Sequence, residues 1–209
     1  MDSLQAGLLA LDYGAVAVFG ATGALAAARR KHDIVTFGFF AAVTGVGGGS
    51  LRDLLLGAPV VWIERPGYLV ACLAAAAIVW VFGAGKVRYR LLVWLDAFGM
   101  AAYSVAGAAK ATALGAPPLI AVVLGVLTAT FGGVIRDVLA GEPSVLLRRE
   151  IYVTAALAGA AAYVVLQLAG APLVLAGGAG FAVALAARAG ALVFGWSLPG
   201  FPGRAPEEE

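Results

Sequence analysis

Two short stretches of this chain carry charge where their surroundings carry almost none. Gly48-Gly49-Ser50-Leu51-Arg52-Asp53 and Gly132-Gly133-Val134-Ile135-Arg136-Asp137 each set an arginine beside a carboxylate, three residues after a glycine pair, within apolar sequence. At the centre of a bilayer such a residue costs about 2.5–3.5 kcal/mol on insertion scales, so it normally faces a partner or water. The chemistry on offer is attraction and passage of ions. One reading has Arg52 and Arg136 snorkelling to an interface with Asp53 and Asp137 as local counterions. Helix neighbours point about 100° apart, so the adjacent pairs are not expected to close well on themselves. Two arrangements remain. Arg52 meets Asp137 and Arg136 meets Asp53 in crossed bridges, or an arginine and an aspartate face a water-filled path directly.

The two motifs belong to a longer duplication with a shift of 84 positions, as in 53 to 137. Under that shift Asp12 maps onto Asp96, Gly23 onto Gly107, Thr44 onto Thr128, Gly57 onto Gly141, Pro59 onto Pro143, Arg65 onto Arg149 and Tyr68 onto Tyr152. Glycine inside a helix costs roughly 1 kcal/mol against alanine, so the run Gly45, Gly47, Gly48, Gly49 needs a reason. Close packing of small residues four apart is one. A kink that turns carbonyls toward a path is the other, and it applies equally at Gly132 and Gly133.

The elements that carry these motifs follow from composition. Of 209 residues, 62% are hydrophobic and 12% charged, with mean hydropathy +0.96, whereas soluble domains run to about 25% charged. The reading is an all-α integral membrane protein with seven transmembrane helices, near 5–28, 34–57, 67–84, 91–110, 117–140, 150–168 and 172–195, long enough for a core of about 30 Å. The chain forms one membrane domain: repeat A (about 5–84), repeat B (about 91–168), the seventh span and a polar tail from about 198. Three spans per copy is an odd number, so the second copy enters from the opposite side. This predicts an inverted 3+3 repeat plus a seventh helix, with the bent helices being spans two and five.

Orientation follows from the basic residues. Arg29, Arg30, Lys31, Lys86, Arg88, Arg90, Arg148, Arg149 and Arg204 fall on one side, nine in all, against Arg65 and at most Lys110 on the other. That places the N-terminus outside and the C-terminus in the cytoplasm of a cell (inner or plasma) membrane. The first residues lack the positive region of a cleavable signal peptide, so the first span is expected to be retained. The basic residues are topological markers that meet lipid headgroups, and nucleic acid is not an expected partner. Lys110 has no counterpart, its mate being Ala26. It is either a snorkelling residue at the outer end of span four or part of a pore or gate. Arg188 in span seven reads as a snorkeller, and Cys72 as plain packing.

Other signals are weak. Gly45-x-Gly47-x-x-Ser50 lacks the third glycine and the strand of a dinucleotide fingerprint. One histidine and one cysteine assemble neither a zinc site nor a histidine-based hydrolase, so no enzyme, cofactor or metal is expected. Thr44-Gly-Val-Gly-Gly only loosely echoes a potassium filter.

At the two glycine–arginine–aspartate motifs the chain resembles the prokaryotic branch of the trimeric intracellular cation (TRIC) channel family, which shares a duplicated glycine-transporter-like repeat of the UPF0126 type. The likeness spans nearly the whole sequence. It implies a homotrimer with a pore in each subunit along kinked helices two and five, conducting monovalent cations, chiefly potassium. The ion pathway would then involve Asp137, Asp53, Arg52, Arg136, Thr44, Thr128 and Lys110. The second copy departs from the first, with Ala129 and Phe131 where the first has Gly45 and Gly47, so its kink is expected to be smaller. The competing function is a secondary transporter of a small zwitterion such as glycine. A retinal protein is disfavoured because span seven has no lysine for a Schiff base.

Overall fold

The computed structural model describes residues 3–82, 88–144 and 151–199, with side chains described from Asp12 and, in the second stretch, from Arg90. Its helices are α1 (Ser3–Arg29), α2 (Ile34–Leu55), α3 (Val61–Glu64), α4 (Gly67–Phe82), α5 (Arg88–Ala113), α6 (Pro118–Leu139), α7 (Val153–Leu168) and α8 (Leu173–Phe194). The expected spans all correspond to helices within a few residues at each described end. The single turn α3 was not foreseen. Lys86, Arg148, Arg149, Arg204 and the acidic tail lie outside the described residues.

Among the described residues, α2, α6, α8 and Arg90–Ala113 of α5 are long and apolar enough to cross a membrane, whereas α4 and α7 are shorter apolar helices. The burial pattern is that of a membrane protein. Val35, Phe39, Leu54, Val70, Phe82, Leu119 and Val174 are exposed, while Arg52, Asp53, Asp96, Arg136, Asp137 and Arg188 are buried. Lipid replaces water around the outside, and charge moves inward to where it finds partners.

Matching positions of the two copies adopt matching local structure. α2 ends as the N–H of Leu56 donates to the carbonyl of Arg52 and that of Ala58 to Asp53; α6 ends as Ala140 donates to Arg136 and Glu142 to Asp137. Each turn passes through a glycine at φ 62°, Gly57 and Gly141. A left-handed residue at that point lets the chain cap the last carbonyls, and the prolines at 59 and 143 prevent the helix from resuming. At its other end α2 is capped by Asp33, which accepts from the N–H of Thr36 at 2.8 Å. That backbone hydrogen bond holds the Asp33 carboxyl below its usual range.

The centre of the molecule is the crossing of α2 with α6. A Cβ on Gly48 would collide with the carbonyl oxygen of Thr128, and one on Gly132 with that of Thr44. Gly48 and Gly132 are mates under the 84-residue shift, as are Thr44 and Thr128. The contact is therefore reciprocal, like an isologous interface. Its register is antiparallel, because four residues forward on one helix pairs with four back on the other. Gly23 and Gly107 add a second matched pair: a Cβ there would lie 2.7 Å from Thr44 Oγ1 and 2.6 Å from Thr128 Oγ1. Phe19 and its mate Tyr103 stack on each other, with ring centroids 5.2 Å apart.

The helical hydrogen-bond pattern of α2 and α6 is unbroken through Gly47–Gly49 and Gly132–Gly133. What the glycines visibly supply is backbone approach. Gly48 and its neighbour Gly49 differ sharply here. The nearest atom to a Cβ on Gly49 would be Arg52 Nη2, at an ordinary 3.7 Å. Gly48→Ala is therefore expected to lower stability by about 1–3 kcal/mol, the usual range for overpacking, and Gly48→Leu by more. Gly49→Ala should be tolerated. Thermal unfolding of the purified variants checks this, and equal losses at 48 and 49 would remove the crossing from the account.

Candidate functional site

Each copy brings four polar residues together: an aspartate from its first helix, the Arg-Asp pair from its second and a tyrosine from its third. These are Asp12, Arg52, Asp53 and Tyr68 in one copy, and Asp96, Arg136, Asp137 and Tyr152 in the other. Each arginine lies six residues beyond the centre of the α2–α6 crossing. At 1.5 Å per residue on antiparallel helices, the two clusters stand roughly 18 Å apart along the bundle.

That separation overturns the crossed bridges. Arg52 bonds Asp53, with Nε donating to Oδ1 at 2.8 Å and Nη2 to the same oxygen at 2.8 Å. Arg136 does the same to Asp137, with Nε and Nη2 each 2.9 Å from Oδ1. The adjacent pairs do close on themselves, contrary to the expectation from helical geometry. Four flexible torsions let an arginine curl sideways round the helix, and the second glycine of each motif leaves space beneath its guanidinium. The snorkelling reading also falls, because Arg52 and Arg136 are both buried.

The clusters share their residues but not their wiring. Arg136 is 1% exposed and its Nη1 binds Asp96 Oδ1 at 2.6 Å and Thr22 Oγ1 at 3.1 Å. One guanidinium thus joins two carboxylates and a hydroxyl. Arg188 of α8 lies over the ring of Tyr152, 5.1 Å from its centroid. It is buried, which corrects its reading as a snorkelling residue. In the first cluster Asp53 is 0% exposed and accepts from Arg52, from Lys110 Nζ at 2.8 Å and from the N–H of Val61 at 3.2 Å. Lys110 therefore holds α5 to α2. Asp12 accepts instead from the hydroxyl of Tyr68, and Tyr13 stacks on Tyr68 at 4.1 Å. Asp12 and Arg52 line one cavity, together with Gly49, Val61, Tyr68 and Tyr103.

Two buried threonines flank the crossing. Thr128 Oγ1 donates to the carbonyl of Leu124 at 2.6 Å, whereas Thr44 Oγ1 has no hydrogen-bond partner. Thr22 is a site residue that the sequence pattern missed. Its mate is Ala106, so the duplication did not mark it. A hydroxyl in a first span whose other polar residues are Gln5, Asp12 and Tyr13 was the one signal available. Among the described residues no group of three or more His, Cys, Asp or Glu is placed to hold a metal ion.

A buried ion pair broken by removing one partner typically loses about 3–5 kcal/mol. Arg136→Gln should fall in that range, because it removes the cation that Asp96 and Asp137 share. Arg52→Gln should cost less, since Lys110 stays on Asp53. Comparing the two melting temperatures in one detergent tests the difference in wiring, and equal losses would contradict it.

Known proteins show the same architecture. The family model described as glycine transporter matches twice, at residues 9–84 and 93–168. The UPF0126 inner membrane protein YadS of Escherichia coli K12 is 38% identical over 198 residues, covering 91% of this chain and 94% of that protein. The solved structure of the TRIC trimeric intracellular cation channel orthologue from Rhodobacter sphaeroides is 52% identical, with a TM-score of 0.88 over 90% of this chain and 98% of that one. Another TRIC cation channel, solved to explain conductance, is 29% identical, with a TM-score of 0.82 over 93% and 97%. With both copies of the motif matched and the fold shared over nearly its full length, this chain belongs to the UPF0126 glycine-transporter-like family of multi-pass membrane proteins and shares the TRIC channel fold.

Proposed function

We propose that this protein is a cation channel, conducting monovalent cations with potassium foremost, through a path in each subunit of a homotrimer. The observation that carries the reading is the antiparallel crossing of α2 and α6, with a charged cluster beyond each end of it, in a fold matched at TM-score 0.88 by a TRIC channel. The reciprocal contacts at the crossing support an inverted 3+3 arrangement, with α1, α2 and α4 related to α5, α6 and α7 by a half-turn in the membrane plane and α8 as the seventh span. The basic loops support an N-terminus outside and a C-terminus inside. On that orientation the Asp53 cluster lies toward the outer face and the Asp137 cluster toward the cytoplasm. The trimer rests on likeness to proteins described as trimeric.

Within the path the two motif carboxylates have different duties. Asp53 is saturated by two cations and a backbone N–H, so it works as a strut between α2 and α5. Asp137 shares Arg136 with Asp96, and Arg136 keeps Asp96 when Asp137 is neutralised. We assign to Asp137, 6% exposed against 0% for Asp53, the field that serves permeating cations, with Thr44 and Thr128 at the crossing between the clusters. Bending at Gly45, Gly47, Gly48, Gly49, Gly132 and Gly133 would widen the path there. Selection by charge and width separates cations from anions better than potassium from sodium.

Flux from liposomes containing the purified protein tests this. Potassium and sodium gradients should both drive flux above that of empty liposomes, and chloride should not. Asp137→Asn should lower cation flux severalfold with a smaller stability loss than Asp53→Asn, which strands Lys110 and Arg52. Flux equal to empty liposomes would refute the channel, and preference for potassium by a factor of hundreds would refute selection by charge and width.

A further inference from the structure

The two clusters hold matching residues in different states. Around Gly133 the Tyr152 hydroxyl, Arg136 Nη2 and Asp96 Oδ1 all converge, 3.2, 3.6 and 3.6 Å from the place a Cβ would occupy. Around its mate Gly49 only Arg52 Nη2 comes within reach, at 3.7 Å. The aspartate–arginine bridge is made in the second copy, Asp96 to Arg136. In the first copy Asp12 is held by Tyr68 and Arg52 by Asp53, and Asp12 and Arg52 line one cavity.

Charge on either side of the cavity favours closure. Arg52 and Lys110 share the single carboxylate of Asp53, which leaves one positive charge in excess. Asp12 faces them held by a neutral tyrosine hydroxyl. Two differences keep the first bridge from being permanent. Arg136 gains a third acceptor in Thr22, where Arg52 has only the methyl of Ala106 at the mate position. Lys110 stands where the second cluster would have its mate Ala26, and it holds Asp53 and so competes for the charge that positions Arg52. The Asp96–Arg136 bridge at the matching positions is the precedent for the contact.

Resting on the channel reading above, we propose that Asp12 and Arg52 form a reversible gate. They close across the cavity as Asp96 and Arg136 already have, sealing the path at the end of the bundle nearer α3, and Tyr68 holds Asp12 back in the open state. Closure exchanges the Tyr68–Asp12 hydrogen bond for an ion pair, so the two states differ by one contact on each side. A gate of this kind belongs to one end of the path only, because the other copy's bridge is part of the buried framework.

The test combines a proximity measurement with flux. Asp12→Cys with Arg52→Cys, in a Cys72→Ala background, is treated in membranes with a short bis(methanethiosulfonate), which joins the two thiols through disulfides with loss of sulfinate, and analysed by intact mass. An internal cross-link should form, and it should reduce potassium flux from liposomes severalfold until reductant restores it. Separately, Asp12→Asn and Arg52→Gln should each raise flux about twofold or more, and the double variant should exceed neither. Absence of the cross-link, or undiminished flux through the cross-linked protein, would overturn the gate, as would single variants that lower flux or add in the double. Wild-type liposomes without flux would defeat the channel reading alone, while the cross-link would still decide whether the two residues meet.

Discussion

Everything in this molecule is arranged around one backbone contact, the crossing of α2 and α6 at Gly48–Thr128 and Gly132–Thr44. No side chain separates the helices there, so their positions are held by main-chain atoms with little room to adjust. Because the contact is antiparallel, the charged ends of the two helices are carried to opposite ends of the bundle. Gly23 and Gly107 then bring α1 and α5 against the threonines of the crossing. The same small residues explain how a helix bundle gains stability where apolar burial gives no preference for protein over lipid.

The second constraint is the arginine. A guanidinium in hydrocarbon must be surrounded by acceptors, and each copy solves that problem locally with the carboxylate next in sequence. The copies diverge at residues outside the motif. Thr22 in place of an alanine completes the shell around Arg136, and Lys110 in place of an alanine adds a cation to the first cluster. On the proposed gate, these two unpaired substitutions would turn one duplicated design into a rigid end and an adjustable end. A transport path needs both, since a path open at each end without control would dissipate the gradients across its membrane.

Much of this was legible in the residues. Composition and the 84-residue shift identified a membrane bundle, its helices and the clustered positions, because lipid exposure and duplication leave strong one-dimensional signals. The partners of the charges were not legible. The crossed bridges assumed that symmetry-related motifs meet. In fact the crossing is antiparallel and carries the two arginines to opposite ends of the bundle. The adjacent bridges were dismissed from Cβ directions alone, which ignore the reach of an arginine lying over a glycine. Thr22 has no mate with the same role, so a search by repetition passed over it, and Arg188, in the unduplicated seventh span, was read as a snorkeller because no partner for it was marked. Tyr68 and Tyr152 were seen as repeated, but their place beside Asp12 and Asp96 required the third helix of each copy to be folded in.

On the proposed channel reading, a water-accessible route would run past the close helix crossing, with fixed charge at one end and movable charge at the other. Such a route passes ions one after another without a binding cycle, which distinguishes it from a carrier built on the same repeat. Recording from purified protein in planar bilayers separates the two most directly. Discrete unitary current steps carried by potassium and sodium are the predicted result. Silent bilayers, together with saturable uptake of a small zwitterion such as glycine into liposomes, would contradict it.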